Sequence, residues 1–224
     1  MPTKKGLLLY GPPGTGKTHT IHYLVWSLPE HTTLQVTAEQ LGRLDEDMTL
    51  ARLFQPCLLV IEDIDLIAKA RDDADVCQQS LLNRLLNEMD GLREDADILF
   101  LLTTNRPEVL EAALAARPGR VDQAVEFPLP DARCRERLMR VYACGASIGA
   151  DTVAAAVRST EGVSASFVKE LMRRAIQFHL ECHPDAERPE ISRNDIDQAL
   201  DELLFSSGQL NRHLLGAGEY PTRD

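Results

Sequence analysis

The chain has 224 residues, of which 44% are hydrophobic and 26% charged, and its formal net charge is −11. This length allows a buried core in one large or two modest domains, and the acidic balance argues against a nucleic-acid partner. The longest apolar stretches, at 57–61 and 98–102, are too short to span a bilayer, so we expect no membrane segment. The five cysteines form no C-x-x-C pair, which favours a reducing, cytoplasmic location.

Short apolar runs alternate with helical patterns through about residue 127. This alternation predicts an α/β fold, in which a parallel sheet of five strands is flanked by helices. Runs such as 58–61 and 98–102 are apolar without alternation, as in strands that are covered on both faces. The candidate strands are 6–10, 33–37, 57–62, 97–104 and 124–127. We expect Trp26, on a predicted helix at 18–28, to contact the core or the helical domain that follows.

After residue 127 the pattern becomes helical only. We therefore predict a large α/β domain at 1–129, a small helical domain at 130–205 and a flexible tail at 206–224. Four predicted helix starts carry capping residues, and Ser192 with Asp195 resembles a capping box. The capping residues are Asp131, Asp151, Ser164 and Ser192.

A glycine-rich loop, GPPGTGKT, follows the first predicted strand and precedes a helical stretch. It fits the phosphate-gripping pattern of a glycine, four free positions, then glycine, lysine and a hydroxyl residue. Backbone N–H groups in such a loop approach phosphate oxygens, the lysine adds positive charge, and the hydroxyl ligates Mg²⁺. We predict that the loop binds a nucleoside triphosphate, with Thr18 on the metal. The loop consists of Gly11, Pro12, Pro13, Gly14, Thr15, Gly16, Lys17 and Thr18.

Polar side chains follow two of the buried strands. Glu62 and Asp63 end the third strand, at the edge of the sheet where the phosphates would lie. Triphosphate hydrolysis needs one carboxylate on Mg²⁺ and a second group that polarises the attacking water. Asn105 ends the next strand and is expected to point at the same site. Arg117 and Arg120 follow on a predicted exposed turn.

These segments resemble, in order and spacing, the AAA family of ATPases from about residue 6 to residue 204. The resemblance is carried by GPPGTGKT, VIEDID, LLNEMDG at 85–91, TTNRPE at 103–108 and RPGRVD at 117–122. It implies a P-loop sheet with a helical lid, ATP and Mg²⁺ as cofactors, and a homo-oligomeric ring, usually a hexamer, that remodels a protein partner. Arg117 and Arg120 would reach a neighbouring subunit's site as arginine fingers. The segment 160–165 resembles a lid motif that approaches the nucleotide; the alternative is a helix cap at Ser164.

The chain departs from the family pattern at three places. Most members carry aspartate then glutamate after the third strand, whereas here Glu62 precedes Asp63. In the usual register Glu62 serves the metal and Asp63 is the base; the alternative is a nucleotide-gated binding module that hardly hydrolyses ATP. The aromatic residue of protein-threading members is absent after the second strand. Because only five residues precede the first strand, we expect the segments that choose the protein substrate to lie outside this sequence.

Overall fold

The computed structural model describes residues 5–37, 42–65, 84–89, 91–92, 96–108 and 121–206. The described residues divide into two compact units. The first contains residues up to Gly11 and those between Lys17 and Phe127, and the second contains Pro12–Gly16 and the residues from Pro128 onwards. Residues 207–224 of the predicted tail lie outside the described residues. None of the described helices combines the length and the apolar composition needed to cross a bilayer.

The first unit is built on a parallel five-stranded sheet, as predicted. The strand order is β2-β3-β4-β1-β5, so the first strand lies between the fourth and the fifth. Every strand pair in this sheet is parallel, which requires crossover connections on the faces of the sheet. The strands are β1 (Lys5–Tyr10), β2 (Thr32–Val36), β3 (Cys57–Ile61), β4 (Ile98–Thr104) and β5 (Gln123–Glu126).

Both faces of the central strands β3 and β4 are buried, since their successive side chains, which point to opposite faces, are almost all buried. On one face, Leu59 and Phe100 join a cluster with Leu44 and Met48 of helix α2 (Leu44–Leu53). The residues 84–89, which are helical, add Leu85, Leu86 and Met89 to the same cluster. On the other face, a second cluster is formed by Leu9, Leu58, Val60, Leu101 and Ile21. The continuous apolar runs of β3 and β4 therefore face helices or loops on both sides of the sheet.

Helix α1 (Lys17–Ser27) follows the glycine-rich loop and packs on the second of these faces. Its inward face carries Ile21 and Leu24. Trp26, for which the sequence predicts a buried contact, is 79% exposed, and Tyr23 beside it is 64% exposed. This expectation is wrong because residues 21 and 24 lie on the opposite side of a 3.6-residue helix from residues 23 and 26.

The second unit is mainly helical. Its helices are α3 (Ala132–Tyr142), α4 (Ala150–Ser159), α5 (Ala165–Cys182) and α6 (Arg193–Asp201), followed by a π-helical turn at Glu202–Ser206. The prediction of helices alone misses a two-stranded parallel ladder, β6 (Ser147–Ile148) with β7 (Glu190–Ile191). Strands of two residues are too short to produce a periodic pattern in the sequence.

Side-chain caps begin three of these helices where the sequence predicts them. Asp131 accepts a hydrogen bond from the Cys134 N–H at 2.7 Å, and Ser164 accepts one from the Phe167 N–H. Ser192 and Asp195 form the predicted capping box. The prediction for Asp151 is wrong, because the N-cap of α4 is Gly149, two residues earlier, and it makes no side-chain hydrogen bond. Asp151 instead lies in the first turn, where its charge is favourable to the helix dipole.

A cluster of charges joins α5 to the end of the chain's described part. Arg173 donates to Glu170 at 2.7 Å and Arg174 donates to the same carboxylate at 2.8 Å. These hydrogen bonds lower the pKa of Glu170 from 4.5 to about 2, and the hydrogen bond from Arg173 has the largest effect. Arg174 also forms an ion pair with Glu202. The ionised form of Glu170 is therefore stabilised in the folded chain.

Candidate functional site

The carboxyl ends of β1, β3 and β4 bring most of the predicted polar residues together within the first unit. The register aligns Tyr10 with Thr104, and Ile61 with Leu102. Because parallel strands end at the same edge of a sheet, the residues that follow them are neighbours. Glu62 and Asp63 therefore lie beside the end of β4 and the start of α1.

Glu62 has a hydrogen-bond partner on each carboxylate oxygen. The Thr18 hydroxyl donates to Oε2 at 2.6 Å, and the side-chain amide of Gln35 donates to Oε1 at 2.8 Å. Thr18 is the second residue of α1, and Gln35 lies near the end of β2. The structure thus brings together the hydroxyl and the carboxylate that the sequence assigns to the metal. The contribution of Gln35 is not predicted from the sequence.

Asp63 is held by residues from β4 and from the turn that follows it. Its N–H donates to Thr103 Oγ1 at 2.9 Å, and Asn105 Nδ2 donates to its Oδ1 at 2.8 Å. Its backbone has φ +50°, in the left-handed region that residues with a Cβ seldom adopt. Burial and the carboxylates of Asp65 and Glu62 raise its pKa above 3.8, while Lys17 and Asn105 oppose this shift.

Lys17 is buried, with 6% of its surface exposed, and its ammonium group donates to the Gly11 carbonyl at 2.8 Å. Desolvation lowers the pKa of Lys17, while Asp63 and Asp65 act in the opposite direction. A buried ammonium is costly unless charges of the opposite sign lie close to it. The carboxylates at the sheet edge therefore help to stabilise the charge of Lys17 before any ligand is bound.

Asp65 is a member of this cluster that sequence reasoning missed. It is 1% exposed, and its Oδ1 accepts hydrogen bonds from the Thr104 hydroxyl and the Asn105 N–H, both at 3.0 Å. Its place two residues after Asp63 in VIEDID is the sequence signal that was available. A buried carboxylate with two donors from one turn orients that turn, so Asp65 fixes the backbone from which Asn105 reaches Asp63.

The tip of the glycine-rich loop belongs to the second unit, where it contacts the start of α5. The Ser166 N–H donates to the Gly14 carbonyl at 3.0 Å. Gly14 has φ +72°, and a Cβ added there would lie 1.9 Å from Ser166 Oγ. Only glycine fits this position without displacing Ser166. The predicted lid segment 160–165 supplies the Ser164 cap, and the neighbouring residue 166, which the sequence did not single out, makes the contact with the loop.

A cavity of about 510 Å³ lies within the second unit. Its lining is mainly apolar, and one residue of the loop tip, Thr15, contributes to it. Cys134 and Arg137 also line it, and the Cys134 thiol belongs to an exposed residue. The apolar part of the lining includes Leu129, Pro130, Leu138, Val141 and Ala165. Sequence reasoning missed this cavity because its residues come from three separate segments.

Two predicted site residues are not among those that the structure describes. Arg117 and Arg120 fall within residues 109–120, which lie outside the described residues. Their role as residues that act in a neighbouring subunit stays a prediction.

Comparison with a solved structure agrees with the observed fold. The AAA domain of FIGL-1, solved in complex with ADP, superposes with a TM-score of 0.67 at 23% identity. The alignment covers 87% of this chain and 70% of that chain. At this identity the likeness concerns the fold alone.

Curated relatives are similar over most of this chain. The 26S proteasome regulatory subunit 6A of Encephalitozoon cuniculi is 34% identical over 89% of this chain and 52% of that protein. A proteasome-activating nucleotidase of Methanoculleus marisnigri is 32% identical over 93% of this chain and 53% of that protein. The ATP-dependent zinc metalloprotease FtsH 2 of Symbiobacterium thermophilum is 32% identical over 89% of this chain and 36% of that protein. The chain thus spans about half the length, or less, of these relatives.

The family model described as "ATPase family associated with various cellular activities (AAA)" matches residues 7–129. This match contains the glycine-rich loop, both carboxylates after β3 and Asn105. The chain belongs to the AAA family of ATPases.

Proposed function

We propose that this chain binds ATP with Mg²⁺, hydrolyses it, and works as one subunit of a homo-oligomeric ring that remodels a protein partner. The observation that carries the proposal is the pairing at the sheet edge beside Lys17. Thr18 contacts Glu62, and Asn105 contacts Asp63. One pair has the chemistry of a metal site and the other that of a water-polarising base with its orienting donor.

The oxygens of Thr18 and Glu62 fit a magnesium ion. Mg²⁺ prefers hard oxygen ligands and is usually bound by one or two protein side chains together with substrate phosphates. The 2.6 Å separation between Thr18 Oγ1 and Glu62 Oε2 already brings two such oxygens together. When bound, Mg²⁺ supplies charge neutralisation on the phosphate oxygens. Thr18 and Glu62 are the residues that would hold it.

The phosphates would be held by the glycine-rich loop and by Lys17. The Lys17 ammonium is buried and hydrogen-bonded to a neutral carbonyl, so a phosphate oxygen is a stronger partner for it. The Ser166 N–H fixes the Gly14 carbonyl. Because the C=O and N–H of a trans peptide point in opposite directions, this contact turns the Thr15 N–H away from α5, and we assign this N–H to a phosphate oxygen.

Asp63 is the group that we assign to water activation. A carboxylate whose pKa is raised by burial is a stronger base than one in water. The Asn105 amide keeps Oδ1 in place, and we assign Oδ2 to the water. We assign the second N–H of the same amide to the terminal phosphate or to the water.

The cavity of the second unit suits the base of the nucleotide. An adenine ring is flat and largely apolar on its faces, and pockets for such groups are lined mainly by apolar side chains with a few polar groups. Thr15 lines this cavity and belongs to the loop that would bind the phosphates. A nucleotide whose phosphates lie on the loop therefore has an apolar cavity beside it for its base.

Assembly and protein remodelling are proposed from the relatives. Two of them are named as proteasome components or activators and one as an ATP-dependent protease, so each name refers to protein degradation. We propose a hexameric ring in which Arg117 and Arg120 act in the neighbouring subunit. The cytoplasmic location expected from the sequence stays a prediction.

Calorimetry and turnover test the proposal. We expect Mg²⁺-dependent binding of ATP and ADP that Lys17→Ala abolishes and that Lys169→Ala, at an exposed position of α5, leaves intact. An arginine finger is worth about 10³ to 10⁵ in rate, so specific turnover should rise with protein concentration as the ring assembles. A specific rate that does not change with concentration would contradict the ring requirement.

The order of the two carboxylates favours one alternative function, that of a nucleotide-gated binding module. Aspartate reaches about 1.5 Å less far than glutamate, which weakens it as a base. Asp63→Asn separates the two candidates. A hydrolase loses about 10² to 10⁴ in kcat, whereas a binding module shows slow turnover that the substitution does not reduce.

A further inference from the structure

Gln35 is a polar residue of β2 whose side chain reaches the next strand's end. In the β2–β3 register, Gln35 aligns with Val60 and Val36 with Ile61, so Glu62 lies just beyond the last aligned pair. The Gln35 side chain is exposed, and its Nε2 donates to Glu62 Oε1 at 2.8 Å. An ionised carboxylate only accepts hydrogen bonds, so the nitrogen of the Gln35 amide, and not its oxygen, must face Glu62.

The Gln35 contact restricts how the Glu62 carboxylate can turn. One hydrogen bond at Oε2 alone leaves the carboxylate free to turn about the bond that carries it. Thr18 supplies the bond at Oε2, and Gln35 supplies a second at Oε1 from a different strand. With both oxygens held, the carboxylate has one orientation, in which Oε2 stays beside the Thr18 hydroxyl.

We infer that Gln35 is a positioning residue for the magnesium site: it orients Glu62 so that the carboxylate and the Thr18 hydroxyl present their oxygens together. The inference rests on the proposed function, because it concerns the cation that accompanies the nucleotide. Gln35 itself does not bind the metal or the nucleotide.

The test measures nucleotide binding as a function of Mg²⁺. Gln35→Met keeps the length of an unbranched side chain and removes the donor. Gln123→Met is the matched control, because Gln123 is an exposed glutamine at the start of β5, the opposite edge strand of the same sheet. ADP is titrated by calorimetry in EDTA and at a series of Mg²⁺ concentrations, and ATP turnover is followed over the same series.

Loss of a residue that orients a metal ligand typically weakens metal affinity by about 10-fold or more. We expect Gln35→Met to raise the Mg²⁺ concentration for half-maximal tightening of ADP by about 10-fold. Affinity in EDTA and turnover at saturating Mg²⁺ should match the unsubstituted chain, and Gln123→Met should match it throughout. In a Glu62→Ala background the effect of Gln35→Met should vanish, because no carboxylate remains to be oriented.

Two results would overturn the inference and leave the proposed function standing. One is a Mg²⁺ response of Gln35→Met within about 2-fold of the unsubstituted chain, taking mutational effects below this size as unresolved. The other is an equal loss of ADP affinity in EDTA, which would mean that Gln35 acts on the fold or on the nucleotide. A chain in which Mg²⁺ has no influence on ADP binding before any substitution would remove the proposed function, and the inference with it.

Discussion

Replacing Gly14 with alanine would place a methyl group where Ser166 already lies. The added Cβ would be 1.9 Å from Ser166 Oγ, 3.1 Å from Ser166 Cβ and 2.9 Å from Ser164 Oγ. Rotating the Ser166 hydroxyl away would remove the shortest contact, but it would break the 3.0 Å hydrogen bond to Ser164 and leave the Cβ atoms crowded. We take this crowding to cost about 1–3 kcal/mol, the usual range for overpacking.

A second cost arises from the backbone. Gly14 has φ +72°, where a residue with a Cβ loses about 1–2 kcal/mol. Gly162 is a matched control within the same unit, since its φ is +73° and an added Cβ would meet nothing within 4 Å. We therefore expect Gly162→Ala to lower the free energy of unfolding by the backbone cost alone, about 1–2 kcal/mol. Gly14→Ala should lower it by about 2–5 kcal/mol, the sum of both costs.

Urea unfolding of the nucleotide-free chain, followed by circular dichroism, measures these losses. Ser166→Gly removes two of the three crowding atoms, including the closest one, so combining it with Gly14→Ala should recover part of the crowding cost, about 1–2 kcal/mol, relative to the sum of the single losses. Equal losses for Gly14→Ala and Gly162→Ala would refute the reasoning, as would strictly additive losses in the double variant. Either result would mean that the tip of the loop does not rest against the start of α5.

Three further predictions concern separate parts of the chain. Asn105→Ala removes a hydrogen bond that lowers the pKa of Asp63, so the acid limb of the pH–kcat profile should move to higher pH; an unmoved limb would contradict the assignment of the base. Glu170→Gln should lower the free energy of unfolding by about 1 kcal/mol at pH 7. This difference should shrink as the pH falls from 4.5 towards about 2, because a carboxylate with a lowered pKa stabilises the fold only while it is ionised in the folded chain. Urea unfolding at pH 7 and pH 3 checks this, and equal losses at both pH values would argue against it. Maleimide labelling of Cys134, followed by peptide mass spectrometry, should slow when ADP is bound, while labelling of exposed Cys182 stays unchanged; equal rates with and without ADP at Cys134 would exclude its cavity as the site of the base.

The sheet could be predicted because its strands correspond to short, contiguous apolar runs in the sequence. The residues 57–61 and 98–102 are apolar without alternation, and such runs form strands buried on both faces. The order of the strands was not predicted, since β1 lies between β4 and β5, strands that follow it much later in the chain. The exposure of Trp26 was also missed, because the choice of the inward face of α1 depends on which side packs against the sheet.

For the candidate site, the sequence predicted which strand ends carry polar groups but not the contacts between them. Glu62, Asp63 and Asn105 were expected at one edge because they follow neighbouring buried runs. The sequence did not show that the Asn105 N–H would donate to Asp65, or that the Gln35 amide would donate to Glu62. Arg117 and Arg120 remain predictions.

The sequence by itself determined the glycine-rich loop, the parallel sheet and the family, because each of these is specified by residues that are adjacent or regularly spaced along the chain. Only the tertiary structure decided which side chains share hydrogen bonds at the site. Thr18 and Glu62 are 44 residues apart and Gln35 and Glu62 are 27 apart. Contacts over such separations depend on how strands align in the sheet and on which way each side chain points after its strand ends. The spacing of residues along the chain does not determine either of these.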